Sequence, residues 1–392
     1  MIERILVAKA RKMSHLFPVV RVTGPRQAGK TTLCRATFPQ HRYISLEAPD
    51  IREFAQVDPR GFLEPLRDGA ILDEVQRCPE LLSYLQGEVD ANPRPGRFVL
   101  TGSANLALLA GVSQSLAGRS AVLHLLPCSY GELRGFPAPP QRLLDALWGG
   151  GYPAVYDRGI PPLEWYRAYI ATYVERDARA MLNIGDLLAF QMFVRVCAGR
   201  VGQLLNLSSL AFDCGITHNT ARAWLSVLEA SFLTFRLPPF HVNIGKRLVK
   251  TAKLYFYDTG LACALLGIQH PEQVGEHPLR GAVFENWVVS QIVTERAHRG
   301  LPPSVFFFRE RNGFEVDVLV EAEGRLLAVE CNSGQTVSAD AFTRLEALAR
   351  RLEHAPEGRS LARVVVYGGD EARWHSGGQV LPWRGVADHP WW

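Results

Sequence analysis

Apolar residues recur at helical spacing at the start of the chain (Ile2, Ile5, Leu6, Ala10, Met13) and then run together in FPVVRVT at 17–23, predicting a helix that leads into a buried strand. Four more short apolar runs follow: YISLE at 43–47, AILDE at 70–74, FVLTGS at 98–103 and AVLHLLP at 121–127. Helical patterns separate them. Strands alternating with helices predict a parallel sheet covered on both faces, ending near the proline-rich GFPAPP at 135–140. From 141 to about 270 the pattern is mostly helical, with WGGGYPAVY at 148–156 as a turn-rich joint. The last stretch changes again. A helix, AVFENWVVSQIVTERA, precedes strands VFFFRE, FEVDVLV, RLLAVEC and ARVVVYGG, the middle two joined by a tight EAEG turn, and a second helix, SADAFTRLEALARRLE, comes before the final strand. The expected fold class is α/β for 1–140, a helical region for 141–270 and an α+β unit for 271–392.

A chain of 392 residues is too long for one ordinary core, so two or three domains are expected, which the three patterns above fit. Composition is globular, 47% hydrophobic and 21% charged, and the net charge of +4 says little about partners. Its distribution says more. Between 195 and 255 there are eight basic side chains, including Arg222, Lys246, Arg247, Lys250 and Lys253, against only Asp213 and Glu229, a candidate footprint for a polyanion. Seven cysteines lie scattered without metal-ligand spacing, which suits free thiols in a reducing compartment. Charges interrupt the N-terminal apolar residues and no later run is long enough to span a bilayer, so the expected location is the cytoplasm, away from membranes.

The first unit carries the clearest chemistry. GPRQAGKT at 24–31 matches GxxxxGK[ST] between a predicted strand and a predicted helix. In that setting the backbone of Gly24, Pro25, Arg26, Gln27, Ala28 and Gly29, continuing into Lys30, Thr31 and Thr32, closes around phosphate, and the helix N-terminus adds a favourable dipole. Lys30 would reach the β- and γ-phosphates and Thr31 would hold Mg²⁺. At the end of AILDE, Asp73 is placed to position hydrated magnesium and Glu74 to orient and deprotonate the attacking water. Ser103, with Thr101 and Asn105 as alternatives, is a candidate partner of the γ-phosphate or the water, or else a helix cap; Arg119 is a candidate charge-stabilising arginine, acting within the subunit or on a neighbour.

Taken in order, FPVVRVTGPRQAGKTTL, AILDEVQRCPEL, FVLTGSANLALLAGVSQSLAGR, LPCSYGEL and GGYP resemble the AAA-type P-loop ATPases of archaea and bacteria that carry a C-terminal domain of unassigned role. KLYFYDTGLACALLG, the FEN of Phe284 to Asn286, and FEVDVLV with VECNSG resemble that C-terminal part. The resemblance covers essentially the whole chain. It implies nucleotide binding and hydrolysis by Gly24, Gly29, Lys30, Thr31, Asp73 and Glu74, with ATP and Mg²⁺ as the expected ligands; a homo-oligomer is the expected assembly, a ring being one form open to it.

Two further sites are expected downstream. In 207–240, Leu210, Ala211, Gly215, Ala221 and Leu225 suit two short helices crossing at a glycine turn, with Thr217 as a cap and Thr234–Leu237 as the start of a wing strand. This winged helix-turn-helix would place His218, Asn219 and Arg222 where recognition side chains sit, while Lys246, Arg247, Lys250 and Lys253 would hold DNA phosphates. A protein partner is the alternative. The last unit resembles restriction-endonuclease-like domains, in which strand acids hold a divalent ion that activates water. Asp317 and Glu330 fit the two acids and Glu285 a third, with Glu315 on the strand face of Asp317, but Asn332 stands where that pattern has lysine. A retained fold used for DNA or protein contact is the expectation, with a metal-dependent nuclease and purely structural acids as the alternatives.

Overall fold

The structure, a computed structural model, describes residues 2–103, 116–174, 186–240, 251–337, 339–352 and 360–392. Its first sheet has five parallel strands, β1 (Val19–Thr23), β2 (Arg42–Ser45), β3 (Ala70–Asp73), β4 (Phe98–Gly102) and β5 (Ser120–His124), in the order β2-β3-β4-β1-β5. β1, β3 and β4 are buried throughout, which is why they read as unbroken apolar runs, whereas β2 and β5 at the edges alternate or lie half exposed. Helices Leu6–Ser14 and Lys30–Thr37 cover one face through Leu6, Ala10, Leu33 and Cys34; Leu82, Leu85 and Val89 of helix Leu81–Ala91 cover the other. The chain leaves β1 for the far edge, returns through β3 and β4, and crosses over β1 to reach β5. The carboxyl ends of β1, β3 and β4 therefore meet at a switch in strand order, where α/β sheets form crevices.

The middle of the chain packs helices Leu187–Gly199, Leu207–Asp213 and His218–Ala230 around Phe190, Phe193, Leu210, Ala221, Trp224 and Leu225. Gly215, at φ +64°, turns the chain between the second and third helices, and the Thr217 hydroxyl accepts from Thr220 N at 3.1 Å to cap the third. Two antiparallel strands, β6 (Thr234–Leu237) and β7 (Lys253–Phe256), follow.

The last sheet has six strands: β8 (Val305–Arg309), β9 (Glu315–Ala322), β10 (Arg325–Asn332), β11 (Leu361–Tyr367), β12 (Arg373–His375) and β13 (Gly378–Pro382), in the order β12-β13-β11-β10-β9-β8. β9 and β10 form an antiparallel hairpin through Glu323 and Gly324, both at positive φ as a tight two-residue turn demands. Helix Ala339–Leu352 packs on one face and the 19-residue helix Arg280–His298 on the other. Tyr130 from the first unit, and Leu143, Leu147, Phe235 and Tyr255 from the middle unit, join that second core. Helix Arg280–His298 is thus enclosed by all three units, and its Asn286, Gln291, Glu295 and His298 are buried along with its apolar residues.

Candidate functional site

The loop after β1 has a backbone that only particular residues tolerate. Gly24 sits at φ +151°, and a Cβ there would lie 2.0 Å from the carbonyl oxygen of Leu125. Gln27 (φ +63°) and Gly29 (φ +92°) reverse the chain again before the helix begins at Lys30. Lys30 is buried, and its Nζ donates to the carbonyls of Gly24 at 2.9 Å and Pro25 at 2.7 Å. Burial lowers its pKa to about 8 despite the opposing pull of Glu74 and Asp73.

Asp73 ends β3 directly across from the loop. Its carboxylate accepts from Thr31 Oγ1 at 3.0 Å, from Tyr43 OH at 2.7 Å and from Thr101 Oγ1. Glu74 follows in the left-handed region at φ +58°, a costly conformation for a non-glycine residue, which turns its side chain toward Ser103. Ser103 Oγ donates to Glu74 Oε2 at 3.2 Å, and the Gln76 amide donates to both Glu74 and Ser103. Lys30, Thr31, Asp73 and Glu74 line a cleft of about 770 Å³ whose walls also include the apolar Ile2, Val7 and Phe136. Arg4, which lines this cleft, and Tyr43 and Gln76, which donate to its two acids, escaped the sequence reading. Tyr43 comes from an edge strand and Arg4 from the N-terminal segment, neither near a motif, whereas Gln76 stood two residues beyond Glu74 as a visible but generic signal.

Sequence families fit this geometry. Residues 16–134 match the AAA domain, 140–272 a domain of unknown function (DUF8612) and 280–385 another (DUF4143). The uncharacterized proteins Rv2008c of Mycobacterium tuberculosis and Mb2031c of Mycobacterium bovis are each 31% identical over 381 residues, covering 94% of this chain and 80% of theirs. This chain belongs to their family. It is a P-loop ATPase of the AAA class, an ATP hydrolase. Among solved structures, the Walker-type ATPase PABY2304 of Pyrococcus abyssi is similar over 66% of this chain and 94% of that one, at 17% identity and a TM-score of 0.46, too loose a likeness to bear on mechanism.

Elsewhere in the ATPase, Arg119 needs correction as a residue acting within the subunit. Its carbonyl accepts from Val19 N, at the start of β1, so a whole strand, about 16 Å, separates it from the phosphate-binding loop at the other end. Its side chain pairs with Asp90 at 2.9 Å. His218, Asn219 and Arg222 are exposed together on the first turns of helix His218–Ala230. Lys246, Arg247 and Lys250, like Asn105, lie outside the described residues.

Lys253 is the second correction. It is buried, 2% exposed, with Nζ 2.9 Å from Glu285 Oε1 and 2.5 Å from Glu315 Oε1, so it is not a surface contact for phosphate. The acids it meets are those of the last unit. Val318 pairs with Val329, which sets Asp317 and Glu330, one residue further along each strand, side by side. Asp317 accepts from Cys331 N at 2.8 Å; Glu330 Oε2 pairs with Arg344 at 2.8 Å, while its buried Oε1 has no hydrogen-bond partner. Burial, followed by repulsion from Glu285 on Asp317 and from Asp317 on Glu330, pushes both carboxyls above the ordinary range. Asn332 is spent on the local turn, accepting from Gly334 N at 2.8 Å. Among the described residues no group of three or more His, Cys, Asp or Glu is arranged to hold a metal ion.

Proposed function

We propose that this chain is a Mg²⁺-dependent ATPase whose nucleotide cycle governs how its C-terminal half engages DNA. The observation that carries the nucleotide site is the hydrogen bond from Thr31 to Asp73 at the mouth of the loop, with Glu74 beside it and the Lys30 amine behind. The hydroxyl and carboxylate are the hard oxygen donors that magnesium takes alongside phosphate and water, and the missing side chain at Gly24 lets the start of the loop close against the Leu125 carbonyl. Bound there, the ion would neutralise charge on the β- and γ-phosphate oxygens.

The chain's own residues supply the remainder. Loop residues 24–32 bind the phosphates, and Lys30 exchanges its two loop carbonyls for phosphate oxygens. Ser103 and Gln76 hold the Glu74 carboxylate, which accepts the proton of the attacking water as its oxygen bonds to the γ-phosphorus and the bond to the bridging oxygen breaks. Arg119 can reach a phosphate only in a neighbouring copy, the arrangement a homo-oligomer would provide.

DNA is favoured by the exposed His218, Asn219 and Arg222 at the start of a capped helix beside the β6–β7 hairpin, the layout of a winged helix, and by the basic excess of this stretch. The last unit fits a restriction-endonuclease-like fold kept for contact and not for cutting, with Lys253 in the acid cluster and Asn332 tied to its turn. A protein partner is the second reading, favoured by Leu188 and Met192, one turn apart on helix Leu187–Gly199, and by Phe212, all exposed apolar side chains. The deciding experiment measures ATP hydrolysis with and without duplex DNA across a salt series. Stimulation that falls steeply with salt and drops with Arg222→Ala supports DNA; absence of both salt-sensitive binding and stimulation supports the protein partner.

A further inference from the structure

Arg4 stands behind the phosphate-binding loop at 7% exposure, and none of the motifs includes it. Its Nη1 donates to the carbonyl of Ala28, inside the loop, and its Nη2 to the carbonyl of Leu126, each at 2.8 Å. Its Nε lies 3.0 Å from Glu132 Oε1. Glu132 is buried too; burial alone would raise its pKa, but Arg4 and His298 together hold it below the usual carboxylate range. Besides capping its own short helix, Glu132 accepts from Ile5 N at 2.8 Å, which fixes the segment that carries Arg4.

The other partner of Glu132 comes from the far end of the chain. His298 Nδ1 lies 3.2 Å from Glu132 Oε2, and His298 Nε2 accepts from Leu126 N at 3.0 Å, the same residue whose carbonyl Arg4 holds. Ser129 donates to Glu295 at 2.8 Å and Tyr130 N to Gln291 at 2.6 Å, so the last two turns of helix Arg280–His298 are fastened to the ATPase domain by polar contacts. The first turns of that helix hold the other units. Glu285 meets Lys253, and Asn286 bonds both N and O of Phe256 in β7, at 2.7 and 3.0 Å. From Glu285 to His298 this 19-residue helix is a strut about 20 Å long joining the two places.

We propose that Arg4 is a positioning residue for the phosphate-binding loop, and that Glu132 and His298 make its position depend on helix Arg280–His298 being docked. The C-terminal half thereby sets how readily the loop accepts ATP. Fixing the Ala28 carbonyl shapes the loop before nucleotide arrives, so its loss adds an ordering cost that ground state and transition state share. The signature is a rise in KM with kcat preserved.

This inference rests on the loop being the ATP site, and the test separates the two. Full-length Arg4→Lys keeps a cation beside Glu132 but cannot hold both carbonyls; His298→Gln leaves every phosphate-facing residue untouched. ATP hydrolysis is measured well below the melting temperature of each protein, beside Lys30→Ala. The expected result is a KM raised about tenfold in Arg4→Lys and about threefold in His298→Gln, with kcat within about twofold of the parent. Unchanged KM in both, even with lower melting temperatures, would reduce the network to a structural staple and overturn the proposal. A Lys30→Ala protein as active as the parent would instead sink the ATP-site reading itself.

Discussion

Replacing Lys30 by methionine preserves much of the side chain's length and deletes its charge. In the structure the ammonium is buried against the loop, and its pKa falls from 10.5 to about 8, mainly through burial. A base whose pKa drops on folding is held as a cation more tightly by the unfolded chain. Below pH 8 the charge therefore opposes folding, by about 3 kcal/mol, and the penalty fades as pH climbs from about 8 to 10.5, where the folded protein sheds the proton first. The two hydrogen bonds to Gly24 and Pro25 return about 1 kcal/mol each. The balance leaves apo Lys30→Met about 1 kcal/mol more stable than the parent at neutral pH. Nucleotide reverses the order, because saturation at about a hundred times Kd adds about 2.7 kcal/mol to a protein that binds it and nothing to one that does not. Thermal melts with and without MgATP, at pH 7 and pH 10, read both effects: the variant melts slightly above the parent without nucleotide, shows no ATP-induced rise, and loses its advantage at the higher pH. A variant that melts several degrees below the parent, or that keeps the ATP-induced rise, would refute the reasoning.

Three other outcomes follow from the same geometry. Gly24→Ala puts a methyl 2.0 Å from the Leu125 carbonyl and forces the end of β1 away from the strand beside it; ATP binding is abolished and stability falls by about 3 kcal/mol or more, measured by calorimetry and urea unfolding. Glu74→Gln retains nucleotide binding, seen with a fluorescent ATP analogue, while phosphate release slows by about a hundredfold. Asp317 and Glu330 have raised pKa values, so their contribution to stability is present at acidic pH and is lost as pH rises from the ordinary carboxylate range through their folded values; Asp317→Asn raises the melting temperature at neutral pH and flattens this slope, and an unchanged slope would contradict the crowding of the two acids.

The first sheet was legible because its inner strands are buried on both faces and therefore read as uninterrupted apolar runs. The loop was legible because its constraint is local: a positive φ and a carbonyl in the place of a Cβ leave room for glycine alone at position 24. Strand order was less so. Nothing in the residues of β4 announces that it inserts between β1 and β3, and that insertion is what carries Thr101 and Ser103 to the acids of β3. The short β12 and β13 were missed as well, since RWH is exposed throughout and offers no apolar run to read.

The misplacement of Lys253 shows where a pattern along the chain stops being informative. Counted with its neighbours it is one more cation in a basic stretch, and a surface role follows; in the fold its strand lies beside helix Arg280–His298, and the nearest charges are Glu285 and Glu315. That helix was also seen only in part. Its pattern predicted a helix, but a residue buried by one unit and its neighbour buried by another leave no polar face to mark a direction, so Gln291, Glu295 and His298 read as ordinary polar positions. Buried polar side chains need partners. For a helix held by three units those partners sit on elements distant in sequence, which is why the contacts joining the ATP site to the C-terminal half emerge from the fold and not from any motif.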